Sequence, residues 1–308
     1  MTPPLLVITG PTAAGKSQLA LTLAGRFGCE ILSMDSMAVY RGMDIGTAKP
    51  SVEERARVPH HLIDLVDPHE EFDTSRWCAA AESAVADVQR RGRTPLLVGG
   101  TPLYLMAFGK GLIEGPAADP ALRAELAARE AADPGCLHGE LRQRDPAAAA
   151  RIHVRDVKRI TRALEYVLHT GAPISARQTT FADDVWRRPC RVLAVHLART
   201  ELHDRVKART KAMLAGGLLD EVRAIAHGCG FSRTAAAGIG YRECLDYLAG
   251  RYKDEEELRN RIRRNTHKLI RRQTTWLRRL PEVSWWSAHD DVEVAAQHLW
   301  PHATEAGR

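Results

Sequence analysis

Six cysteines are scattered through 308 residues as Cys29, Cys78, Cys136, Cys190, Cys229 and Cys244, and no two form a Cys-x-x-Cys pair. That spacing excludes a zinc site built on paired thiolates and gives no disulfide framework, so the fold rests on its core. No apolar run approaches the ~20 residues that a membrane helix needs. The opening Met1-Thr2-Pro3-Pro4 lacks a basic segment followed by an apolar stretch, so a cytoplasmic chain with no membrane partner is expected. With 44% hydrophobic residues, there is material for one domain with an insertion or for two domains. The net charge of +6 is modest, and the placement of positive charge matters more than its sum.

What is present begins with Gly10-Pro11-Thr12-Ala13-Ala14-Gly15-Lys16-Ser17, which fits Gly-x4-Gly-Lys-Ser/Thr without a mismatch. The context is right as well. Leu5 to Ile8 reads as a short apolar strand before it, and Gln18 to Phe27 as a helix after it. Glycines let the backbone wrap closely, several N–H groups point inward, and the helix N-terminus adds positive potential at the same place. Lys16 supplies a mobile cation, and the Ser17 hydroxyl is the expected ligand for Mg2+. A chance Gly-rich turn would not bring strand, loop and helix into agreement.

Ile31 to Ser36 looks like a second strand that delivers Asp35 to the edge where open α/β sheets bind ligands. Val39 to Pro50 holds two glycines and a proline with no sustained period, hence a loop. Helical spacing from Thr74 to Arg91 leads to Pro95-Leu96-Leu97-Val98-Gly99-Gly100-Thr101, a buried strand and a turn. A hydrolase of the usual kind places an aspartate at that strand end to hold Mg2+ through water. None is there, and Thr101 is the polar group presented instead.

From about 118 to 188 the texture turns Ala/Arg/Glu-rich, with helix punctuation at Asp133-Pro134-Gly135 and Asp145-Pro146. A helical insertion is expected there, carried by a core of residues 1–117 and 189–308. Within it Arg151, Arg155, Lys158, Arg159 and Arg162 form a basic stripe, while Val157, Ile160, Leu164 and Leu168 fall on another face. Arg191 to Val195 returns to strand character, and Arg205 and Arg209 follow on one face of a helix, placed to clamp phosphate oxygens. The last long helix starts at Asp254, with Glu257 at the capping-box position, and runs to about Leu280. Leu258, Ile262, Leu269, Trp276 and Leu280 make its packed stripe, and Arg259, Arg261, Arg263, Arg264, Lys268, Arg271, Arg272, Arg278 and Arg279 crowd the rest. Charge of one sign on an exposed face suits a nucleic-acid phosphate backbone.

The fold class expected is α/β, a P-loop NTPase-like parallel sheet flanked by helices with a helical insertion. A diphosphate grip without the hydrolase aspartate, a carboxylate at the next strand edge and two basic helices suggest a small diphosphate donor meeting a nucleic-acid acceptor. Lys16, the loop N–H groups, Mg2+ and an arginine would stabilise the leaving diphosphate, and Asp35 would orient and deprotonate the acceptor.

These motifs resemble those of the tRNA dimethylallyltransferases, also called isopentenyltransferases. The likeness is carried by Gly10 to Ser17, Asp35-Ser36, Met43-Asp44-Ile45-Gly46-Thr47-Ala48-Lys49-Pro50, Gly99-Gly100-Thr101-Pro102-Leu103-Tyr104, Arg151-Ile152-His153, Gly240-Tyr241 and Arg272-Gln273-Thr274-Thr275-Trp276. It implies Mg2+-dependent transfer of a dimethylallyl group from dimethylallyl diphosphate to N6 of the adenosine 3′-adjacent to the anticodon, in tRNAs reading codons that begin with U. It also implies roles. Asp35 becomes the general base, Thr101 a contact to the target nucleotide, and Ser17 and Arg209 handle the diphosphate. Contacts to the tRNA anticodon stem-loop are implied for Asp35, Ser36, Met37, Ala38, Thr101, Arg123, Lys158, Arg159, Ile160, Thr161, Arg162, Gly240, Tyr241, Arg242, Lys268, Arg271, Arg272, Gln273, Trp276 and Arg278. A monomer is expected, with the adenine flipped out of its stack into a channel lined by Asp35 and Thr101. One departure stands at Ala237, where the family usually carries Gln or Arg. A P-loop small-molecule kinase is the alternative from another class, and a non-catalytic RNA-binding protein that uses the loop as a nucleotide sensor is a third.

Overall fold

The computed structural model describes residues 4–111, 115–116, 118–176 and 186–301. Residues 177–185 of the expected insertion, and 112–114 and 117 beside it, lie outside the described residues. The chain divides into two compact units, Met1–Gly109 with Arg188–Arg308, and Lys110–Arg187.

The first unit is a six-stranded, all-parallel sheet. Its early elements are β1 (Leu5–Thr9), α1 (Lys16–Phe27), β2 (Cys29–Ser33), α2 (Val52–Arg57), β3 (His60–His61), α3 (Thr74–Arg90), β4 (Thr94–Val98) and α4 (Pro102–Lys110). Strand order is β3-β2-β4-β1, followed by two later strands defined below. The β1 side chains are all buried, as expected of a strand covered by helices on both faces. Ile8 pairs with Val98 of β4, and Leu32 of β2 pairs with Leu97. On one face α3 seats Trp77, fully buried, with its ring stacked on Tyr104 at 4.3 Å and its indole N–H donating to the Ser33 carbonyl at 3.2 Å. Truncating such a ring costs about 3–5 kcal/mol.

The second unit holds α5 (Pro120–Ala132), α6 (Cys136–Arg144), α7 (Pro146–Arg151) and α8 (Val157–Thr170) around Leu126, Leu137, Leu141, Ile160 and Leu164. Its turns are pinned by aspartates. Asp119, Asp145 and Asp156 each accept a backbone N–H of the first turn that follows, and buried Asp145 also accepts from the Ser175 N–H at 2.9 Å. Leu168, placed on the packed face by spacing, is 39% exposed, and Tyr166 and Val167 are the buried positions at that end of α8.

The chain returns to the sheet with β5 (Cys190–His196) and continues through α9 (Arg199–Ala215), α10 (Leu218–His227), α11 (Arg233–Ala236), α12 (Tyr241–Leu248), α13 (Glu255–Leu277), β6 (Val283–Ser287) and α14 (Val292–Leu299). β5 lies beside β1 and β6 beside β5, both parallel. Asp254 caps α13 by accepting the Glu257 N–H at 2.7 Å, while Glu257 accepts the Lys253 N–H at 3.1 Å, one residue upstream of the box geometry. Trp276 is 39% exposed rather than packed. Gln273 and Leu277 are the buried positions of that last stretch. No helix among the described residues is long and apolar enough to cross a membrane.

Candidate functional site

Gly10 opens the loop after β1 at φ 132°, and a Cβ there would sit 2.6 Å from the Val195 carbonyl oxygen, so only glycine lets the loop lie against β5. Gly15, at φ 102°, is the N-cap of α1 and offers no side-chain cap. The N–H groups of Ala13, Gly15, Lys16 and Ser17 donate to no protein acceptor among the described residues. Uncapped N–H groups at a helix N-terminus make an anion cradle. Two other N–H groups of the expected cradle are already committed, Ala14 to the Pro11 carbonyl at 3.3 Å and Thr12 to Gln273 Oε1 at 2.9 Å.

Lys16 Nζ donates to the Pro11 carbonyl at 2.7 Å. Burial pushes its ammonium down to about 8; Arg209 adds to that and Asp35 opposes it. Arg209, on α9, reaches the Thr12 hydroxyl at 3.3 Å and the Thr47 carbonyl at 3.4 Å, while Arg205 touches the Ala13 carbonyl at 3.4 Å. Burial lowers Arg209 as well, against the pull of Asp35. Among the described residues no carboxylate forms an ion pair with either basic group, and both are held apart from full solvation, a state that a bound diphosphate relieves.

β2 ends at Ser33, three residues before the expected limit, because Asp35 turns the chain. Its Oδ1 accepts the Met37 N–H at 2.8 Å and the Ala38 N–H at 3.4 Å. Among the described residues Oδ2 accepts no hydrogen bond. Thr101 follows β4, with its N–H on the Met34 carbonyl at 3.3 Å and its hydroxyl accepting the Ser36 N–H at 3.3 Å. The two strand ends are thus tied together.

Two cavities meet at these groups. One, of about 450 Å3, is lined by Lys16, Ser17, Arg205, Lys49 and the Gly99-Gly100 turn. The other, of about 230 Å3, is lined by Thr101, Met37 and the apolar side chains of Val206, Met213, Ile262 and Leu269. Thr12, Asp35, Thr47, Gly100 and Arg209 line both. Lys16 and Asp35 therefore face one continuous space, with phosphate chemistry at one end and an apolar, hydroxyl-bearing wall at the other.

A family model described as IPP transferase matches residues 38–280. The chain belongs to the IPP transferase family. A tRNA dimethylallyltransferase of Anaeromyxobacter dehalogenans is 45% identical over 297 residues, covering 96% of this chain and 98% of that protein. The crystal structure of a full-length tRNA isopentenylpyrophosphate transferase from Bacillus halodurans superposes with a TM-score of 0.69 at 34% identity and covers 100% of both chains. A eukaryotic dimethylallyltransferase solved acting on tRNA gives a TM-score of 0.78 at 28% identity, covering 99% of this chain and 78% of that one.

Several family-implied RNA contacts sit where their side chains have other work. Tyr241 is fully buried and donates its hydroxyl to Glu221 Oε1 at 2.6 Å. Burial first, and that carboxylate second, raise the phenol well above its ordinary range. Gln273 is buried and bridges the Thr12 N–H and the Gly100 carbonyl, 2.5 Å from its Nε2. Ile160 lies in the core of the second unit, Ala38 is buried, and Gly240 opens α12 with its N–H on Glu243 at 2.7 Å. Arg123 and Arg162 converge on Glu165, whose side chain is fully buried; contacts are 2.8 and 2.6 Å. Burial alone would raise that carboxyl, but the hydrogen bonds from Arg123, the Asp119 N–H and Arg162 outweigh it and hold it at about 2.

The free surface positions are different. Lys158 is exposed, Arg159 is exposed with Asp156 at 3.5 Å, and Thr161 is half-buried. On α13 and its C-cap Lys268, Arg271, Arg272, Trp276 and Arg278 are exposed, as is Ala237 at the end of α11. Arg242 is half involved, 3.0 Å from the buried Glu243.

Sequence reasoning assigned no task to the 43–50 loop, and the structure supplies one. Glu221, on α10, accepts the N–H groups of Asp44, Ile45 and Gly46 at 3.0, 2.8 and 3.4 Å. Lys49 turns inward to Asp44 at 2.7 Å and to Asp64 and the Tyr40 carbonyl, both at 2.5 Å. Together they fix Thr47 against Arg209. The sequence marked this run as part of a family motif but not what holds it: the Lys49 partners lie within 15 residues, whereas Glu221 lies 175 to 177 residues from the N–H groups it accepts.

Proposed function

We propose that this chain transfers a dimethylallyl group from dimethylallyl diphosphate to N6 of the adenosine 3′-adjacent to the anticodon of tRNA. The observation that carries this is the sharing of Asp35 and Arg209 by the phosphate-binding and apolar cavities. The diphosphate lies on the free loop N–H groups, Lys16 and Arg209, and the adenine enters beside Thr101. An adenine amine is a weak nucleophile because its lone pair is delocalised into the ring. Asp35 Oδ2 takes the N6 proton as the N–C bond forms, the C–O bond to diphosphate breaks, and the leaving charge falls on the cations already in place.

Mg2+ fits this site as a ligand of the Ser17 hydroxyl, a hard oxygen on the wall of the same cavity. No cluster of His, Cys, Asp and Glu offers a closed metal cage among the described residues, so the ion's other ligands would be phosphate oxygens and water. Bound there, it would neutralise charge on the diphosphate. One chain supplies every group named, so the unit of function proposed is a monomer, working on the anticodon stem-loop in the cytoplasm. The exposed cations of α13 supply the phosphate contacts.

The test is incubation of the purified protein with Mg2+, dimethylallyl diphosphate and unmodified tRNA, followed by mass spectrometry of the digested RNA. N6-dimethylallyladenosine at that one position is expected. Phosphate transfer from ATP in its place would return the chain to the kinase class.

A further inference from the structure

A third cavity, of about 580 Å3, opens at the C-terminal ends of β5 and β6, between α9 and α13. It shares no lining residue with the other two, yet it begins at Pro11, next to Thr12. In open parallel sheets this edge is where ligands bind.

Three arginines, Arg199, Arg271 and Arg278, stand around it, and among the described residues none has a carboxylate partner. The contrast lies on the same helix: Arg259 and Arg261, near the start of α13, pair with Glu255 and Glu257 at 3.7 and 3.0 Å. Positive charge is neutralised at one end of α13 and left open at the other.

The remaining walls are flat rings. Trp285 is 39% exposed, with His196 edge-on at 6.3 Å. His203 and His267 lie with centroids 4.1 Å apart, and His267 Nδ1 is buried with no hydrogen-bond partner. Burial, then His203, Arg263 and Arg199, lower His267, so its ring is neutral at pH 7. An exposed tryptophan ring, an unsatisfied neutral imidazole and guanidinium groups without carboxylate partners among the described residues form a set that a simple anion uses only in part. A nucleotide uses all of it: the base stacks on the ring, its edge meets the imidazole, and its phosphate meets the arginines. The volume also suits one.

We propose that this cleft is a second nucleotide subsite, which takes an unstacked nucleotide of the tRNA other than the one that reacts. It rests on the assignment of tRNA as acceptor, and it gives that RNA a second anchor beside the donor grip.

The test uses Arg199→Gln, Trp285→Ser and Trp285→Phe, which lie off α13 and outside the two reaction cavities. Wild-type turnover on tRNA tests the acceptor assignment alone. For the variants, fluorescence anisotropy reads the Kd of a labelled anticodon stem-loop, and steady-state kinetics read KM and kcat. Arg199→Gln and Trp285→Ser should each raise Kd and the KM for tRNA about tenfold. kcat at saturating tRNA and the KM for donor should hold, and Trp285→Phe should restore most of the loss. Arg199→Gln should also lower the salt slope of log Kd by about 1. Unchanged Kd in both Arg199→Gln and Trp285→Ser overturns the subsite. So does an adenosine or uridine monophosphate that binds the cleft without competing with the stem-loop, which would make it a site for free nucleotide.

Discussion

Lys16 stores its protonation cost for the donor. Burial brings its ammonium from 10.5 to about 8 in the ligand-free protein, a difference worth about 3 kcal/mol at 1.36 kcal/mol per unit. A diphosphate placed on Lys16 restores its charge, so binding between pH 8 and 10.5 is coupled to proton uptake. Calorimetry of dimethylallyl diphosphate binding at pH 9, repeated in buffers of different ionisation enthalpy, should show uptake approaching one proton. Lys16→Met should abolish that uptake and weaken binding. The stability sign is opposite. An unfolded Lys16 binds more protons than the folded one between pH 8 and 10.5, so this group makes the ligand-free protein more stable as pH rises through that window. Its contribution should vanish in Lys16→Met melts followed across the same pH range. Donor binding at pH 9 with no net proton exchange would refute the placement of Lys16 on the diphosphate.

Asp35→Asn keeps the oxygen that turns the chain but not the base, so kcat should fall at least a hundredfold with the donor Kd within twofold; a comparable loss of donor affinity would make Asp35 a binding residue. Gln273→Leu leaves the Thr12 N–H and the Gly100 carbonyl without partners, at about 1–3 kcal/mol each, and denaturant melts should fall accordingly, with the donor Kd rising in step. Glu165 is held at about 2 against 4.5 unfolded, so its contribution is complete above pH 4.5 and fades as pH falls toward 2. Glu165→Gln should flatten that acid limb in a pH series of melts, without touching donor binding.

β1, β2, β4 and β5 were legible as short apolar runs, and the phosphate loop announces its own strand and helix, whereas the two-residue β3 and the Ser- and Trp-bearing β6 are no such runs and were not read from the sequence. The order of the strands was not legible either, since pairing β5 with β1 joins residues nearly two hundred apart and no local pattern encodes it. Helix caps at Asp119, Asp145, Asp156 and Asp254 are local bonds between neighbours, and sequence spacing alone carries such contacts.

Residue types and their spacing determined by themselves that this chain carries a diphosphate loop, an aspartate at the next strand end and a basic last helix. The tertiary structure alone decided what those groups face. Gln273 and Tyr241 stand beside exposed cations in sequence, yet they turn inward, one to the Thr12 N–H and the other to Glu221. Which side of a helix is buried depends on partners on other elements, 261 residues away for Gln273 and 20 for Tyr241, and only the folded chain brings them within hydrogen-bond reach. The same holds for Asp35, Arg209 and Thr101, whose convergence on one space is a property of strand ends tied together and not of any motif.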